Sequence, residues 1–399
     1  MKAAVALAGA LPPPRTAELR TLRHASRPLD SALVLCFPAP RSATGEDLVE
    51  LHCHGGRAVV AAVEAALAAQ PGLRRADPGE FTRRALLNGR IDLMEAEGLA
   101  DLLEAETEAQ RVAAIAAAGG RLSARTREWL DAVALLSARV EALLDYAEED
   151  DVDSDAAALD AILSDVGALR RRIEDALAAP SVERLRAGVS VVIAGPPNAG
   201  KSTLLNLLAE RDAAIVSPIS GTTRDRVEAP VIRSGLPIVL VDTAGLTDAS
   251  DPVEAIGVVR AEEAIEQADL LLWLGDNPPP RADAVWVHAR HDLPGRTTRP
   301  PHRDLAVSAH DPASIACLWE VISERSGSLV ASTDDAPAMR EHQQSACAAA
   351  ALALDQGTRD LLLVAEGLAI ARRRLAELLG IDATEAMLDA LFGRFCVGK

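Results

Sequence analysis

The chain has few of the residues that mark several classes of protein. It carries five cysteines in 399 residues and no Cys-x-x-Cys pair, which argues against a disulfide framework and a zinc knuckle. No apolar run is long enough to cross a bilayer, and a typical secretory leader is lacking. The net charge of −18 opposes nucleic-acid binding over the whole surface. These absences favour a protein of the reducing cytoplasm, with any RNA contact made by local arginine clusters or a basic partner.

Lysine is almost missing. Of the 41 basic residues, only Lys2, Lys201 and Lys399 are lysines. Arginine therefore supplies positive charge nearly everywhere, although its planar guanidinium differs in shape from a compact ammonium on a flexible stem. Lys201 and Lys399 are accordingly candidates for places where only an ammonium will serve.

The motif around Lys201 predicts phosphate binding. Residues 195–202 read Gly-Pro-Pro-Asn-Ala-Gly-Lys-Ser, after an apolar run at 189–194 and before a helix-competent run at 203–208. In this strand–loop–helix context the glycines let backbone N–H groups converge on an anion. Lys201 is expected to reach the β- and γ-phosphates, and the Ser202 hydroxyl to hold Mg²⁺. The alternative is a glycine-rich turn that happens to contain lysine.

Two further elements follow in the order that a GTPase requires. Residues 242–245 read Asp-Thr-Ala-Gly after a predicted strand, which places Asp242 to reach Mg²⁺ and the glycine N–H to sense a γ-phosphate. Residues 221–225, Gly-Thr-Thr-Arg-Asp, lie between the two motifs as a switch loop should, and Thr223 is a candidate second Mg²⁺ ligand. The three elements together favour a GTPase over an ATPase.

The expected base-reading element departs from the usual Asn-Lys-x-Asp. Ala289 and Arg290 replace the asparagine and lysine, while Asp292 remains able to accept both guanine N1–H and N2–H. Reduced guanine selectivity or affinity is therefore expected. Residues 308–310, Ser-Ala-His, are expected to add a backbone contact to the base.

Many small GTPases carry a glutamine after the Asp-Thr-Ala-Gly motif, where it orients the attacking water, and this chain has none there. Leu246 occupies the position of their glutamine and cannot do this work. Glu254, at the start of the following predicted helix, is the candidate replacement. An ordinary first-turn glutamate, favoured by the helix dipole, is the alternative, and spacing alone does not decide between them.

Periodicity predicts a multidomain chain of α/β and α type. Residues 1–90 predict a small α+β domain; residues 91–186 and 331–399 predict amphipathic helices. Residues 187–330 alternate strands and helices, which predicts a Ras-like P-loop domain with a mainly parallel sheet. Its strands are predicted at 189–194, 237–241, 270–274, 284–288 and 305–308. The helical segments are expected to be halves of one discontinuous bundle into which the P-loop domain is inserted.

A pair of histidines in the first domain admits two interpretations. His52 and His54 flank Cys53 and share a face of a predicted strand, but no third ligand with suitable spacing follows. A buried strand end is preferred to a metal site.

With these residues in hand, the chain resembles the MnmE (TrmE) family of tRNA-modification GTPases along nearly all of its length. The P-loop alone is shared by many families, whereas its combination with a terminal Cys-Val-Gly-Lys is far more specific. The matching stretches are residues 44–47 and 54–56, 78–85 and 88–90, 195–202, 221–225, 242–246, 253–254 and 256–257, and 395–399.

The resemblance implies a potassium-activated GTPase that modifies C5 of the wobble uridine of certain tRNAs with an aminomethyl-type (carboxymethylaminomethyl) group. Its implied partner is an FAD-containing flavoprotein of the MnmG (GidA) type, with which it forms a heterotetramer. An N-terminal folate-binding domain would form the homodimer and bind a one-carbon tetrahydrofolate. Two P-loop domains would then meet face to face.

The resemblance also assigns roles to single positions. Glu254 would orient the water, and Cys396 would lie near the modification chemistry. Magnesium would be held by Ser202 and Thr223, potassium by Asn198, Ser217, Ile219 and Thr222, and folate by Glu50, Arg90 and Lys399. The positions matching GTP contacts are Asn198, Ala199, Gly200, Lys201, Ser202, Thr203, Ser217, Pro218, Ile219, Ser220, Gly221, Thr222, Thr223, Asp242, Thr243, Ala244, Gly245, Asp292, Ser308, Ala309 and His310.

Two other functions fit parts of the same sequence. A nucleotide-gated scaffold that hydrolyses GTP negligibly would explain the altered Asn-Lys-x-Asp element, and robust turnover of the purified protein would reject it. A ribosome-assembly GTPase would bind ribosomal particles, but it gives no reason for Cys396 and Lys399.

Overall fold

The computed structural model describes residues 1–146, 152–178, 182–212, 228–243, 254–330, 338–355, 357–381 and 391–392. The chain forms two compact units. The first comprises residues 1–100, 118–126 and 376–399, and the second comprises residues 101–117 and 127–375. Among the described residues, no helix is both long and apolar enough to cross a membrane.

The first unit begins as the small α+β arrangement that the sequence predicts. Its elements are α1 (Lys2–Ala8), β1 (Glu18–His24), β2 (Arg27–Phe37), β3 (Leu48–His52), α2 (Arg57–Ala68), α3 (Glu80–Leu87) and α4 (Leu93–Glu104). The strands form an antiparallel sheet in the order β1-β2-β3. Alternate residues of β2, Ala32 and Val34, are fully buried and pack with Leu7, Leu22 and Val63 in one apolar core. Helices α1 and α2 thereby cover one face of the sheet.

The predicted burial of the strand end at His52 and His54 is wrong. Their side chains are 58% and 76% exposed, because β3 is an edge strand and the chain leaves it here. His54 Nδ1 lies 2.8 Å from the Asp30 carboxylate, and its backbone N–H donates to the other carboxylate oxygen at 2.8 Å. No group of three or more His, Cys, Asp or Glu suited to a metal ion occurs among the described residues.

Gly79, in the first unit, is in close contact with Phe392, which lies more than 300 residues later in the sequence. Gly79 has a left-handed φ of 70°, and a Cβ there would lie 2.5 Å from the Phe392 carbonyl oxygen. Phe392 is 2% exposed and packs with Leu93, Ala96 and Ala100. The backbone before the terminal Cys-Val-Gly-Lys is therefore seated against the Pro-Gly-Glu-Phe motif, in a space that a larger residue at position 79 would fill.

The remaining elements begin with helices. In chain order they are α5 (Glu108–Ala118), α6 (Arg121–Tyr146), α7 (Val152–Leu177), α8 (Val182–Ala187), β4 (Val189–Ala194), α9 (Lys201–Asp212), β5 (Glu228–Arg233), β6 (Leu236–Asp242), α10 (Glu254–Gln267), β7 (Leu270–Trp273), β8 (Val285–Ala289), β9 (Leu305–Val307), α11 (Pro312–Val330), α12 (Glu341–Leu354) and α13 (Leu361–Leu378).

The sheet of the second unit has the order β5-β6-β4-β7-β8-β9. All neighbouring strands are parallel except β5 and β6, which pair antiparallel. The predicted strands at 189–194, 237–241, 270–274, 284–288 and 305–308 are confirmed within one residue at each end. Strand β5 was not predicted, since Pro230 interrupts the pattern; an edge strand tolerates this missing N–H.

Helices from both sides of the sheet domain meet within the second unit. Helix α12 packs along α7, and Arg170 of α7 forms an ion pair with Asp355, just after α12. This contact is what two halves of one bundle require. The domain boundaries drawn from the sequence otherwise stay predictions.

Candidate nucleotide-binding site

The loop between β4 and α9 has the backbone of a phosphate cradle. Gly195 and Gly200 take φ values of 153° and 97°, and Asn198 takes 61°. A Cβ on Gly195 would lie 3.2 Å from the Gly275 nitrogen, so the close approach of the loop to the end of β7 requires glycine. The helix that follows directs its N-terminus at the loop, a geometry that favours anions.

Lys201 is held over this loop by its own backbone. The residue is 8% exposed, and its Nζ donates to the carbonyl oxygens of Gly195 at 3.0 Å and Pro196 at 3.1 Å. A buried ammonium requires such partners. These contacts aim its charge at the space enclosed by the loop.

The two oxygen donors expected for magnesium are in contact. The Ser202 hydroxyl donates to an Asp242 carboxylate oxygen at 2.5 Å, because α9 begins beside the end of β6 and residue Ile193 of β4 is in register with Asp242. A hydroxyl and a carboxylate are hard oxygen ligands of the kind that Mg²⁺ takes. The described part of this site therefore fits magnesium, and Thr223 lies outside the described residues.

The candidate base-reading carboxylate is fixed by the Ser-Ala-His segment. The Ser308 hydroxyl donates to Asp292 at 2.6 Å and accepts the N–H of His310 at 3.1 Å. The hydrogen bond from Ser308 is the main cause that lowers the pKa of Asp292 below its ordinary value. Asp292 is thus an ionised acceptor, as recognition of two guanine N–H groups requires.

Arg290 has a role that the sequence did not indicate. It takes a left-handed φ of 60°, and its Nη1 donates to the Asn198 carbonyl oxygen at 2.7 Å. A Cβ built on Gly200 would lie 3.8 Å from the Arg290 stem. The arginine that replaces the usual lysine therefore joins the base-reading loop to the P-loop.

These elements line one cleft of about 1150 Å³, large enough for a nucleotide. Residues of the cleft that the sequence predicted as nucleotide contacts are Asn198, Ala199, Gly200, Lys201, Ser202, Thr203, Thr243, Asp292, Ala309 and His310. Ser308 and Asp242 bond directly to members of this set.

Several predicted site residues lie outside the described residues. They are Ser217, Pro218, Ile219, Ser220, Gly221, Thr222, Thr223, Ala244, Gly245, Cys396 and Lys399. Glu254 is the first residue of α10. Its role remains a prediction.

The two predicted folate residues within the described chain lie in the first unit. Glu50 is on β3, where its carboxylate lies 2.9 Å from His52 Nε2. Arg90 lies close to Gly45, at which a Cβ would be 3.2 Å from its stem. Asn88 donates to the Thr44 carbonyl oxygen at 2.8 Å, so the Asn-Gly-Arg and Thr-Gly-Glu-Asp motifs are in contact.

Comparison with known proteins agrees with this geometry. A family model described as the MnmE helical domain matches residues 93–396, and one described as the GTP-binding protein TrmE N-terminus matches residues 2–90. The first match extends over both helical segments and the sheet between them.

Curated relatives match over nearly the whole chain. The tRNA modification GTPase MnmE of Erythrobacter litoralis (strain HTCC2594) is 51% identical, over 99% of this chain and 93% of the relative. That of Sphingopyxis alaskensis (strain DSM 13593 / LMG 18877 / RB2256) is 48% identical, over 100% and 98%. The chain therefore belongs to the MnmE (TrmE) family and is a GTPase of tRNA modification.

Proposed function

We propose that this chain hydrolyses GTP in a potassium-activated reaction that drives modification of C5 of the wobble uridine of tRNA. The observation that carries GTP hydrolysis is the meeting, in one cleft, of a P-loop lysine, a Ser–Asp pair suited to magnesium and an ionised aspartate suited to guanine. Membership of the family supports the role in tRNA modification. The partner is a flavoprotein of the MnmG (GidA) type carrying FAD. The working assembly is a heterotetramer built on a homodimer of this chain, in the cytoplasm.

The described residues divide the work of binding the nucleotide. Lys201 neutralises charge on the β- and γ-phosphates. Ser202 with Asp242 would hold magnesium, which would neutralise further negative charge on the phosphate oxygens. Asp292 accepts the guanine N1–H and N2–H, and the Ser308 hydroxyl keeps one of its oxygens in place. Each group acts by position and charge, as phosphoryl transfer requires.

Hydrolysis needs two further contributions, from residues outside this set. Glu254 orients the attacking water, since Leu246 cannot. Asn198, Ser217, Ile219 and Thr222 would hold potassium, which would supply there the positive charge that an arginine finger supplies in other GTPases. Asn198 fits this role by chemistry, since its uncharged amide carries an oxygen suited to an alkali cation and it stands on the phosphate loop.

The proposed modification chemistry belongs to the first unit. Glu50, Arg90 and Lys399 bind a one-carbon tetrahydrofolate, and Cys396 lies near the reacting groups. Phe392, four residues before Cys396 in the sequence, packs against Gly79 in the unit that also carries Glu50 and Arg90.

The proposal predicts a defined chemical loss in cells. Deleting the chain should remove the modified group from C5 of the wobble uridine, measured by mass spectrometry of nucleosides from purified tRNA.

Purified full-length chain should hydrolyse GTP at least about tenfold faster in potassium than in sodium, because neutralising phosphate charge in the transition state is worth orders of magnitude in rate.

Each outcome tests a separate part of the proposal. Unchanged wobble nucleosides would leave a GTPase without this pathway. Equal turnover in sodium and potassium would remove the alkali cation from the mechanism while leaving the modification intact.

Arg290→Met provides a test of the loop contact. The methionine keeps the apolar stem but cannot donate to Asn198, so the affinity for GDP should fall about 3- to 10-fold, the usual worth of one directed hydrogen bond. Isothermal titration measures it, with Arg260→Met, an exposed arginine on α10, as the matched control. Unaltered affinity in Arg290→Met would mean that the contact has no part in binding.

A further inference from the structure

The carboxylate of Asp276, just after β7, accepts hydrogen bonds from two arginines of the loop between β8 and β9. Arg296 donates to both oxygens of Asp276, through Nη1 at 3.1 Å and Nη2 at 3.0 Å. Arg303 Nη2 donates to the same carboxylate at 2.9 Å and to the Asp276 carbonyl oxygen at 3.2 Å. We call these three residues the Asp276 cluster. It joins the connection after β7 to the loop between β8 and β9.

The two arginines of the Asp276 cluster donate hydrogen bonds to backbone carbonyl oxygens at the end of β8. Arg296 Nε donates to the Ala289 carbonyl oxygen at 3.0 Å, and Arg303 Nη1 to that of Val287 at 3.2 Å. Between them, His288 Nε2 lies 2.8 Å from the Arg296 carbonyl oxygen. Three successive residues of β8 are therefore tied to one loop, immediately before the candidate base-reading residues.

The most buried member of the cluster, Arg303, holds its arrangement in place. The Arg303 side chain is 3% exposed, whereas that of Asp276 is 68% exposed, so water screens the charge of the carboxylate. Arg303 also lies 4.6 Å from the centre of the Trp286 ring, a favourable place for a guanidinium. The arrangement is fixed by the number and direction of its hydrogen bonds, with the buried arginine as their anchor.

The need for such an anchor follows from Ala289. At this position other GTPases carry an asparagine, whereas the methyl group of Ala289 offers no polar atom to hold the loop. Asp292 follows three residues later, and its carboxylate accepts a hydrogen bond from the Ser308 hydroxyl at 2.6 Å. A small change in where β8 ends would move its carboxylate away from both Ser308 and a base, and hydrogen bonds weaken steeply with misalignment.

We propose that Asp276, Arg296 and Arg303 are positioning residues for guanine recognition, which hold Asp292 in place in a chain whose base-reading loop lacks the asparagine. This inference rests on the proposed reading of guanine by Asp292. It makes specificity, rather than phosphate binding, the property that the cluster controls.

The test compares GDP with IDP, because inosine lacks the 2-amino group that would donate to Asp292. In the full-length chain the Kd for IDP should exceed that for GDP by roughly 10- to 100-fold, as expected for a hydrogen bond to a charged group. Asp276→Asn replaces one acceptor oxygen of the carboxylate by an N–H₂ donor, which cannot accept a hydrogen bond from a guanidinium. Arg296→Met removes the hydrogen bond to the Ala289 carbonyl oxygen. Each should lower the IDP-to-GDP ratio about fivefold or more, because GDP loses two hydrogen bonds to Asp292 whereas IDP, which keeps only N1–H, loses one.

Two controls separate a loss of guanine recognition from a general loss of structure. Asp283→Asn breaks an ion pair with Arg281 on the same connection between β7 and β8 and should leave the ratio unchanged. Thermal unfolding of every variant reports loss of stability separately. If one of the two variants does not fold, the other carries the test.

A folded Arg296→Met or Asp276→Asn with the original ratio would overturn the inference, as would an equal loss of affinity for both nucleotides. Asp292→Asn distinguishes this failure from failure of the proposed function. An Asp292→Asn ratio near that of the unaltered chain would refute base reading by Asp292. A collapsed ratio in Asp292→Asn beside intact ratios in the cluster variants would refute only the positioning role.

Discussion

Glu254→Ala should lower kcat for GTP hydrolysis by about 10²- to 10⁴-fold and leave the affinity for GTP nearly unchanged. The magnitude is that of a positioned side chain assisting the attack of water. Two features of the chain lead to this expectation: Leu246 stands where a glutamine would orient the water, and Glu254 begins helix α10 after the Asp-Thr-Ala-Gly motif. Single-turnover hydrolysis at saturating GTP in potassium measures it.

Glu262→Ala is the matched control, since it removes an exposed glutamate farther along the same helix. It should retain full turnover. If Glu254→Ala instead binds GTP poorly, Glu254 is a structural first-turn residue and the water must be oriented by another group.

Lys201→Ala should weaken GTP binding roughly 100-fold, the loss expected when one or two charge-assisted hydrogen bonds to phosphate are removed. Its ammonium is buried and is held by the carbonyl oxygens of Gly195 and Pro196. No other described residue of the P-loop carries a positive charge. Titration of a fluorescent GTP analogue measures the change.

The scarcity of lysine makes the control clean. Lys2→Ala removes another of the three lysines, at an exposed position in the first unit, and should bind GTP like the unaltered chain. Comparable affinity in Lys201→Ala and Lys2→Ala would contradict the phosphate-binding role of Lys201.

Most of the sheet could be predicted because its strands are buried on both faces and read as short apolar runs. Residues 189–194 and 270–273 are of this kind. Strand β5 escaped prediction since its residues alternate only in part and include Pro230. The exposure of His54 was also missed, because a strand pattern does not tell an edge strand from an inner one.

The phosphate-binding half of the candidate site is local in sequence and so was open to prediction. Its glycines, Lys201 and Ser202 fall within eight residues, and each has a chemical reason at its spacing. The base-reading half is different. Arg290 was expected only to weaken recognition, whereas its contact with Asn198 spans 92 residues, and no pattern within a segment reports such a distance.

The order of apolar runs and turn residues was enough to predict the parallel sheet and the phosphate loop, since each depends on periodicity or on neighbours within one turn. The enzyme class followed from the order of three short motifs along the chain. Tertiary structure alone decided that Arg296 and Arg303 converge on Asp276 and that Phe392 is seated at Gly79. These contacts join residues that are far apart in the sequence and that the folded chain brings together. Their energy depends on distance in space, which the linear spacing of residues does not encode.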